Sequence, residues 1–284
     1  MTRKPYLLSP PKNLTRKDVV IDDDLVYLVR IGKPATGTLT ICNEDGVMDF
    51  RFELYNGRKH GLCESFFPDG NLQYWCRFRH GKQDLYDERF DKHGSLIQSN
   101  CWRDGHLHGR CKSYELGRLS AVQDFKDGKL HGLWETYGPR NVTFFSGQYV
   151  EGKPDGTHVW RFIDNKVEAE CLFDLGVKTG LWRDFYNTGQ LKRQRTYEDD
   201  ELVGEDRSYF ESGVLASVMT YKHGTLNGPC MEFHPNGNLK RSFPYAKGVP
   251  AEFERHYDQS LRMLREVAWQ DGKALSDLNY MLDQ

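Results

Sequence analysis

The sequence has few features of a membrane protein, a secreted disulfide-rich protein or a zinc protein. It has seven Cys but no C-x-x-C pair, and an odd number without such pairs favours a reducing compartment. No apolar run approaches the ~18 residues of a membrane-spanning helix. The short apolar run at residues 6–8 is too brief for a signal peptide. We therefore expect a cytoplasmic protein.

Signatures of nucleic-acid binding and of common enzyme families are also missing. Charged residues make up 28% of the chain, but the net charge is only −2, without the basic excess that nucleic acid requires. The chain has no G-x-x-x-x-G-K-[ST], G-x-S-x-G or H-E-x-x-H motif. The sequence therefore predicts no catalytic residue, cofactor or metal, and no nucleic-acid partner.

Glycines and aromatic residues recur in one register along most of the chain. A G-x-x-x-G pair returns with a period of about 24 residues. An aromatic residue precedes the first glycine position by three residues, and a second one follows the second glycine position by five. The glycine pairs are Gly57/Gly61, Gly105/Gly109, Gly128/Gly132, Gly152/Gly156, Gly176/Gly180 and Gly224/Gly228. The preceding aromatics are Phe78, Trp102, Phe125, Tyr149, Phe173, Tyr197, Tyr221, Tyr245 and Trp269.

One repeat has the pattern of a β-hairpin. Residues 181–186 and 191–197 are rich in strand-forming residues, and Asn187-Thr188-Gly189 between them is typical of a turn. The charged segment between the two glycine positions is interpreted as a linker between hairpins. About ten such hairpins predict an all-β fold, an elongated single-layer antiparallel sheet in which neighbours bury the aromatic stripe together.

The two ends depart from the repeat. Residues 1–36 are assigned to an N-terminal arm and a capping strand at 25–31, and residues 37–276 to the repeat array. Ala274, Leu275, Leu278, Met281 and Leu282 fall at helical spacing, which predicts a short C-terminal capping helix over 274–283. Residues 277–284 are assigned to the end of that predicted helix.

The pattern aromatic-x-x-G-x-x-x-G-x-x-x-x-aromatic-x-x-x-G-x-L resembles the MORN repeat, in its bacterial variant found in YwqK-family antitoxins. The closest stretches are residues 197–228 and 125–138. The resemblance covers roughly residues 37–276. It implies hairpin sheets that serve as scaffolds for proteins or lipids. The antitoxin likeness implies neutralisation of a partner toxin by direct binding.

Two repeats are irregular, and histidines and cysteines recur at fixed positions. The repeat at 132–156 lacks its turn glycine, and the next has DNKVE at its turn; a bend, a binding site and simple drift in a loop are all compatible with this. His60, His108 and His131 share one position, where successive copies are too far apart to share a metal. We expect polar turn residues there and buried, unreactive cysteines.

The favoured hypothesis is a non-enzymatic protein-binding scaffold of the antitoxin or immunity type, with a membrane-associated scaffold for phospholipid head groups as the alternative. Four arginines interrupt the apolar stripes in the C-terminal half and are compatible either with a basic path for an acidic partner or with stacking on aromatic neighbours. Three tryptophans in the array are candidate contacts as well. The candidate partner-binding residues are Arg193, Arg195, Arg241, Arg265, Trp134, Trp160 and Trp182.

Overall fold

β-Strands dominate the protein, for which a computed structural model describes residues 13–22 and 25–280. The chain divides into two units, residues 1–134 and 135–284. In each unit, strands that follow one another along the chain pair antiparallel in an open sheet. The predicted all-β fold of consecutive hairpins is confirmed.

Seven of the strands that begin in the first unit have eight or nine residues. The elements of this unit are β1 (Asn13–Thr15), a 3-10 helix (Arg16–Asp18), β2 (Val19–Asp22), β3 (Leu25–Leu28), β4 (Gly37–Cys42), β5 (Met48–Tyr55), β6 (Arg58–Phe66), β7 (Leu72–Arg79), β8 (Lys82–Phe90), β9 (Leu96–Arg103), β10 (His106–Leu107), β11 (Gly109–Glu115), β12 (Arg118–Lys126) and β13 (Lys129–Tyr137), which runs across the boundary.

The second unit continues the pattern. Its elements are a 3-10 helix (Pro139–Asn141), β14 (Thr143–Val150), β15 (Lys153–Arg161), β16 (Val167–Asp174), β17 (Val177–Phe185), β18 (Leu191–Glu198), β19 (Glu201–Tyr209), β20 (Leu215–Lys222), β21 (Thr225–Phe233), β22 (Leu239–Ser242), β23 (Tyr245–Ala246), β24 (Val249–Pro250), β25 (Glu252–Tyr257), β26 (Met263–Gln270) and β27 (Lys273–Asn279).

The predicted hairpin over residues 181–197 is formed by β17 and β18. Its loop closes with two backbone hydrogen bonds of 2.8 Å, from Gly189 N to Tyr186 O and from Tyr186 N to Gln190 O. Gly189 has φ +91°, the left-handed region in which a side chain is strained. The backbone conformation of the turn therefore explains why glycine occupies this predicted position.

The segment between the two glycine positions is the start of a strand, as residues 58–60 are in β6, so its interpretation as a linker was wrong. A second hairpin turn lies at the first glycine position and the residue before it. At Asn56-Gly57 and His80-Gly81 both central residues have positive φ, as a two-residue type I′ turn requires. The strand that follows begins immediately, so the successive strands of the repeats form a meander in each unit. Each such turn also bonds to the previous repeat: Gly81 N donates to Lys59 O at 2.9 Å, and Gly105 N to Gln83 O at 2.8 Å.

The second glycine position and the aromatic stripe are paired in the sheet. Each glycine lies directly opposite the aromatic residue of the next strand and has a positive φ, which favours glycine. Register shifts interrupt the ladders next to these glycines, as β-bulges do. The pairs are Gly61/Phe78, Gly109/Phe125, Gly156/Phe173, Gly180/Tyr197, Gly204/Tyr221 and Gly228/Tyr245.

In the first unit, much of the core is a row of residues that runs across the strands. Leu39 pairs with Phe52, Phe52 with Cys63, Cys63 with Cys76, and Cys76 with Asp87. All of these except the half-buried Phe52 are buried. One residue from each strand therefore contributes to a continuous buried line.

The carboxylate of Asp87, only 1% exposed, is fully enclosed by hydrogen-bond donors. Asn100 Nδ2 donates to Oδ1 at 2.8 Å, and Trp102 Nε1 donates to Oδ2 at 2.7 Å. Gln83 Nε2 and the Tyr74 hydroxyl also donate to Oδ2, at 2.8 and 3.2 Å. A buried charge with this many donors is compatible with a folded core.

The N-terminal region covers the first strands of the array. β1 pairs in parallel with β4, and β2 and β3 form a separate two-stranded sheet. Val26 from the predicted capping strand packs in a cluster with Leu14, Leu39 and Leu54. The remainder of the predicted arm, residues 1–12, lies outside the described residues.

The predicted C-terminal helix over 274–283 was wrong for its described part. β27 (Lys273–Asn279) pairs antiparallel with β26, and Tyr280 N donates to Leu264 O at 2.8 Å. The turn at Asp271-Gly272 reverses the chain as in the other repeats, and the open edge of β26 offers hydrogen-bond partners along its length. An isolated helix of this length is marginal in water. Residues 281–284 lie outside the described residues.

Candidate functional site

A shallow groove lined with aromatic side chains lies within the second unit. It consists of two adjoining depressions of about 530 and 520 Å³ that share Tyr186, Lys192 and Arg193. We call this surface the aromatic groove. Its lining includes Trp160, Phe162, Phe185, Tyr186, Lys192, Arg193, Tyr209, Phe210 and Tyr221.

The repeat itself places these rings side by side. Phe185 and Tyr209 occupy the aromatic position after the second glycine in successive repeats, and Tyr186 and Phe210 follow them. Adjacent hairpins bring these positions together at the end of the strand, beside the loop. The Tyr186 hydroxyl donates to Tyr209 O at 2.8 Å, which ties one repeat to the next. All four rings are half-buried and therefore still present surface to a partner.

The groove has mixed charge. Lys192 is exposed, with its Nζ 5.7 Å from the centre of the Tyr186 ring. Arg193 Nε donates to Asp206 Oδ1 at 2.9 Å and Nη2 to Oδ2 at 2.5 Å. Glu168 and Asp184 add carboxylates to the lining. The groove therefore combines aromatic rings and an arginine, both enriched in protein–protein interfaces, with charges of both signs.

Each of the four predicted arginines is held in an ion pair. Besides Arg193 with Asp206, Arg195 contacts Asp184 at 3.1 Å, Arg241 contacts Glu254 at 2.9 Å, and Arg265 contacts Asp277 at 2.7 Å. Arg195 and Arg241 also stack at 5.8 and 4.1 Å from the centres of the Trp182 and Phe243 rings. The arginines thus stabilise neighbouring strands, and only Arg193 lines the aromatic groove.

The three predicted tryptophans have different surroundings. Trp160 lines the groove. Trp182 lies between Phe173 and Tyr197, with ring centres 5.5 and 4.9 Å away, and its Nε1 donates to Leu172 O at 3.3 Å. Trp134 is half-buried in β13 of the first unit. Trp160 is therefore the one of the three with a place in the groove.

The irregular turn DNKVE has the same geometry as its regular counterparts. Asn165 takes the position of the missing glycine with φ +69°, and Phe162 N donates to Lys166 O at 2.9 Å. The Lys166 ammonium donates to Asn187 O in the next repeat at 2.9 Å. The preceding irregular segment forms the 3-10 helix Pro139–Asn141.

Two of the recurring histidines contact the turns. His60 Nδ1 accepts a hydrogen bond from His80 N at 3.4 Å, and His108 Nδ1 lies 3.1 Å from Asp127 Oδ1. Asn227 Oδ1 accepts a hydrogen bond from Lys247 N at 3.0 Å. Within residues 13–22 and 25–280, no group of three His, Cys, Asp or Glu side chains could hold a metal ion.

Four buried polar residues were not predicted from the sequence, although they share one position in the repeat. The position two residues after the second glycine position holds Cys63, Cys111 and Cys230, all buried. In four other repeats that position holds a buried charged or polar residue instead, and in two more it holds Trp134 or Trp182. The four charged or polar residues are Asp87, His158, Asp206 and Glu254. Comparing this position across repeats would have identified them as a set.

Four segments of the chain are similar to one known family of repeats. The family model described as MORN repeat variant matches residues 59–74, 178–199, 202–223 and 226–247. The chain contains MORN-type repeats. Two of the matched MORN-type segments, 178–199 and 202–223, carry most of the aromatic groove.

Comparison with curated proteins and solved structures assigns no further family. No curated protein matches the chain. One solved structure, described as the crystal structure of TcdB2-TccC3, aligns with 89% of this chain and 18% of that chain, at 12% identity and a TM-score of 0.18. This chain thus spans less than a fifth of that one, and a TM-score this low carries no argument. Among the described residues, no helix has the length and apolarity to cross a membrane.

Proposed function

We propose that the protein is a non-enzymatic scaffold that binds another protein through the aromatic groove. The observation that carries the proposal is the set of neighbouring half-buried rings, Phe185, Tyr186, Tyr209 and Phe210, beside the exposed Lys192. Aromatic side chains dominate the energetic centres of protein interfaces because they bury a large area at small entropic cost.

The charges favour a protein partner over a phospholipid surface. A membrane-binding surface needs several unneutralised cations close together. Here the groove contains Glu168 and Asp184, and the guanidinium of Arg193 is neutralised by Asp206. Such mixed charge suits a partner that carries both signs.

The finer proposal is that the partner is a toxin and the protein its antitoxin or immunity protein, acting in the cytoplasm. It is supported by the likeness to YwqK-family antitoxins and by the groove, which needs no catalytic group to block a partner. Antitoxins are commonly encoded beside their toxins, so the product of the adjacent gene is the partner to test.

The test is co-expression of the chain with that product, followed by co-purification and a growth assay. The groove variant carries Lys192→Glu and Phe210→Ser. Arg193 is left intact, because its loss would strand the buried Asp206. The matched control is Leu261→Ser, a 52% exposed apolar residue in a loop outside the groove lining.

We expect the wild type and the control to co-purify with the partner and to relieve its growth arrest, and the groove variant to do neither while keeping its melting temperature. Retention of the partner by all three proteins would contradict the groove. Strong pelleting with phosphatidylglycerol vesicles, without co-purification, would contradict the choice of a protein partner.

A further inference from the structure

Two cysteines of the first unit face each other across neighbouring strands. Cys63 in β6 and Cys76 in β7 are direct Cα partners in the antiparallel register. In the strand pairings that the structure describes, each of the other five cysteines lies opposite a residue other than cysteine. Those pairs are Cys42/Met48, Cys101/Tyr86, Cys111/Gln123, Cys171/His158 and Cys230/Met219.

The backbone geometry already suits a bond between the two sulfurs. Directly opposed residues in an antiparallel pair have Cα atoms about 4.5 or 5.5 Å apart, and disulfides span about 4.4–6.8 Å. Both side chains are buried, at 8% and 3% exposure, between the in-register neighbours Phe52 and Asp87. The register therefore places the two thiols on the same face of the sheet, within the Cα separation that a disulfide spans.

The surroundings give the two thiols different chemistry. A hydrogen bond from the Cys63 thiol lowers the pKa of Cys76 against the opposing effect of burial, and the Tyr74 hydroxyl adds to this. The same contact raises the pKa of Cys63. At Cys76 the Asp87 carboxylate raises the pKa and the Lys59 ammonium lowers it by less, and Lys59 also lowers the pKa of Cys63. Cys76 is thus the better nucleophile, and a thiolate is the form that reacts with oxidants.

We propose that Cys63 and Cys76 are a reversible oxidation site that forms a cross-strand disulfide in response to hydrogen peroxide. The Cys76 thiolate attacks one peroxide oxygen, an S–O bond forms, and the O–O bond breaks. The departing hydroxide takes a proton and leaves as water, and Cys76 is a sulfenic acid. Cys63 then attacks the Cys76 sulfur as its own proton passes to the sulfenic oxygen, which leaves as a second water.

This site does not depend on the proposed binding function. A disulfide that forms transiently is also compatible with a reducing compartment, where persistent disulfides are rare. The bond would join β6 to β7 covalently, and thiol reductants would restore both thiols.

The test uses the full chain and hydrogen peroxide, with free thiols blocked by N-ethylmaleimide before digestion by trypsin without reductant. Cleavage after Lys59 and Arg77 places both cysteines on one peptide, residues 60–77. We expect this peptide to lose two hydrogen atoms and escape alkylation after peroxide, and to regain two alkylated thiols after dithiothreitol. A peptide that stays doubly alkylated under conditions that oxidise the exposed Cys42 would overturn the proposal.

Single variants assign the roles and serve as matched controls. With Cys63→Ser, peroxide should leave a sulfenic acid at Cys76 that dimedone traps. With Cys76→Ser, Cys63 should remain unlabelled. Equal dimedone labelling of the two variants would overturn the assignment of Cys76 as the nucleophile, and a disulfide between Cys101 and Cys111 at the same yield would overturn the selectivity of the site.

Discussion

Arg193 holds the carboxylate of Asp206 through both of its oxygens, with donor–acceptor distances of 2.9 and 2.5 Å. Asp206 is 4% exposed, whereas the Arg193 side chain is 42% exposed. The partly exposed guanidinium of Arg193 thus neutralises the buried carboxylate of Asp206. The sequence alone suggested Arg193 as a partner contact. In the structure, Arg193 also stabilises the sheet beside the aromatic groove.

Replacing Arg193 with Met should destabilise the protein by about 1–3 kcal/mol, because the buried carboxylate of Asp206 loses two charge-assisted donors. Arg207→Met is the control: its partner Glu205 is exposed, and such surface pairs contribute about 0–1 kcal/mol. Urea denaturation measures both. Equal costs for the two variants would show that the Asp206 carboxylate does not need Arg193.

His158 should make stability depend on pH. Its ring is 2% exposed and lies between Phe145, Tyr149 and Phe173, at centre distances of 5.6, 5.2 and 5.0 Å. Burial lowers its pKa below the usual 6.5, although a hydrogen bond to Gln148 O partly opposes this. The folded state therefore binds a proton less readily than the unfolded state.

It follows that the free energy of unfolding should fall as the pH drops below 6.5 towards the lowered pKa of His158. In His158→Gln this part of the pH dependence should disappear. His93→Gln, at an exposed loop position, should keep the wild-type dependence. Denaturation curves across this pH range decide it: an unchanged slope in His158→Gln would contradict the role of His158.

Glycines at the second position should differ in their tolerance of alanine. At Gly228, with φ +126°, a Cβ would lie 3.0 Å from Thr220 Cγ2; at Gly204, with φ +70°, nothing lies within 4 Å. Gly228→Ala should cost about 2–4 kcal/mol through backbone strain and contact, and Gly204→Ala about 1 kcal/mol. Thermal unfolding of both variants measures the difference, and a larger loss for Gly204→Ala would be incompatible with this geometry.

The hairpins could be predicted because glycine and aromatic positions mark them in nearly every repeat. Gly180 and Tyr197 are far apart in the repeat but directly opposite in the sheet, so both recur together. The second turn was harder to predict, since pairs such as Asp199-Asp200 contain no glycine, although both residues adopt positive φ.

Two other features depend on tertiary context. Leu275 and Leu278 fit a helical spacing, but pairing with β26 decides their conformation. The ion pair between Arg193 and Asp206 joins residues of neighbouring strands at a spacing that no local pattern specifies. The candidate site was therefore predicted only in part: Trp160 and Arg193 line the groove, while the rings of Tyr186 and Phe210 were not singled out.

The most direct measurement of the central proposal is hydrogen–deuterium exchange of the chain alone and in complex with the product of the adjacent gene. Because β17–β20 and their loops form most of the aromatic groove, binding there should slow amide exchange in residues 184–193 and 206–221. Residues 252–270, in β25 and β26, should exchange equally in both states. Protection confined to strands outside the groove, or no change on mixing, would contradict a binding function for this surface.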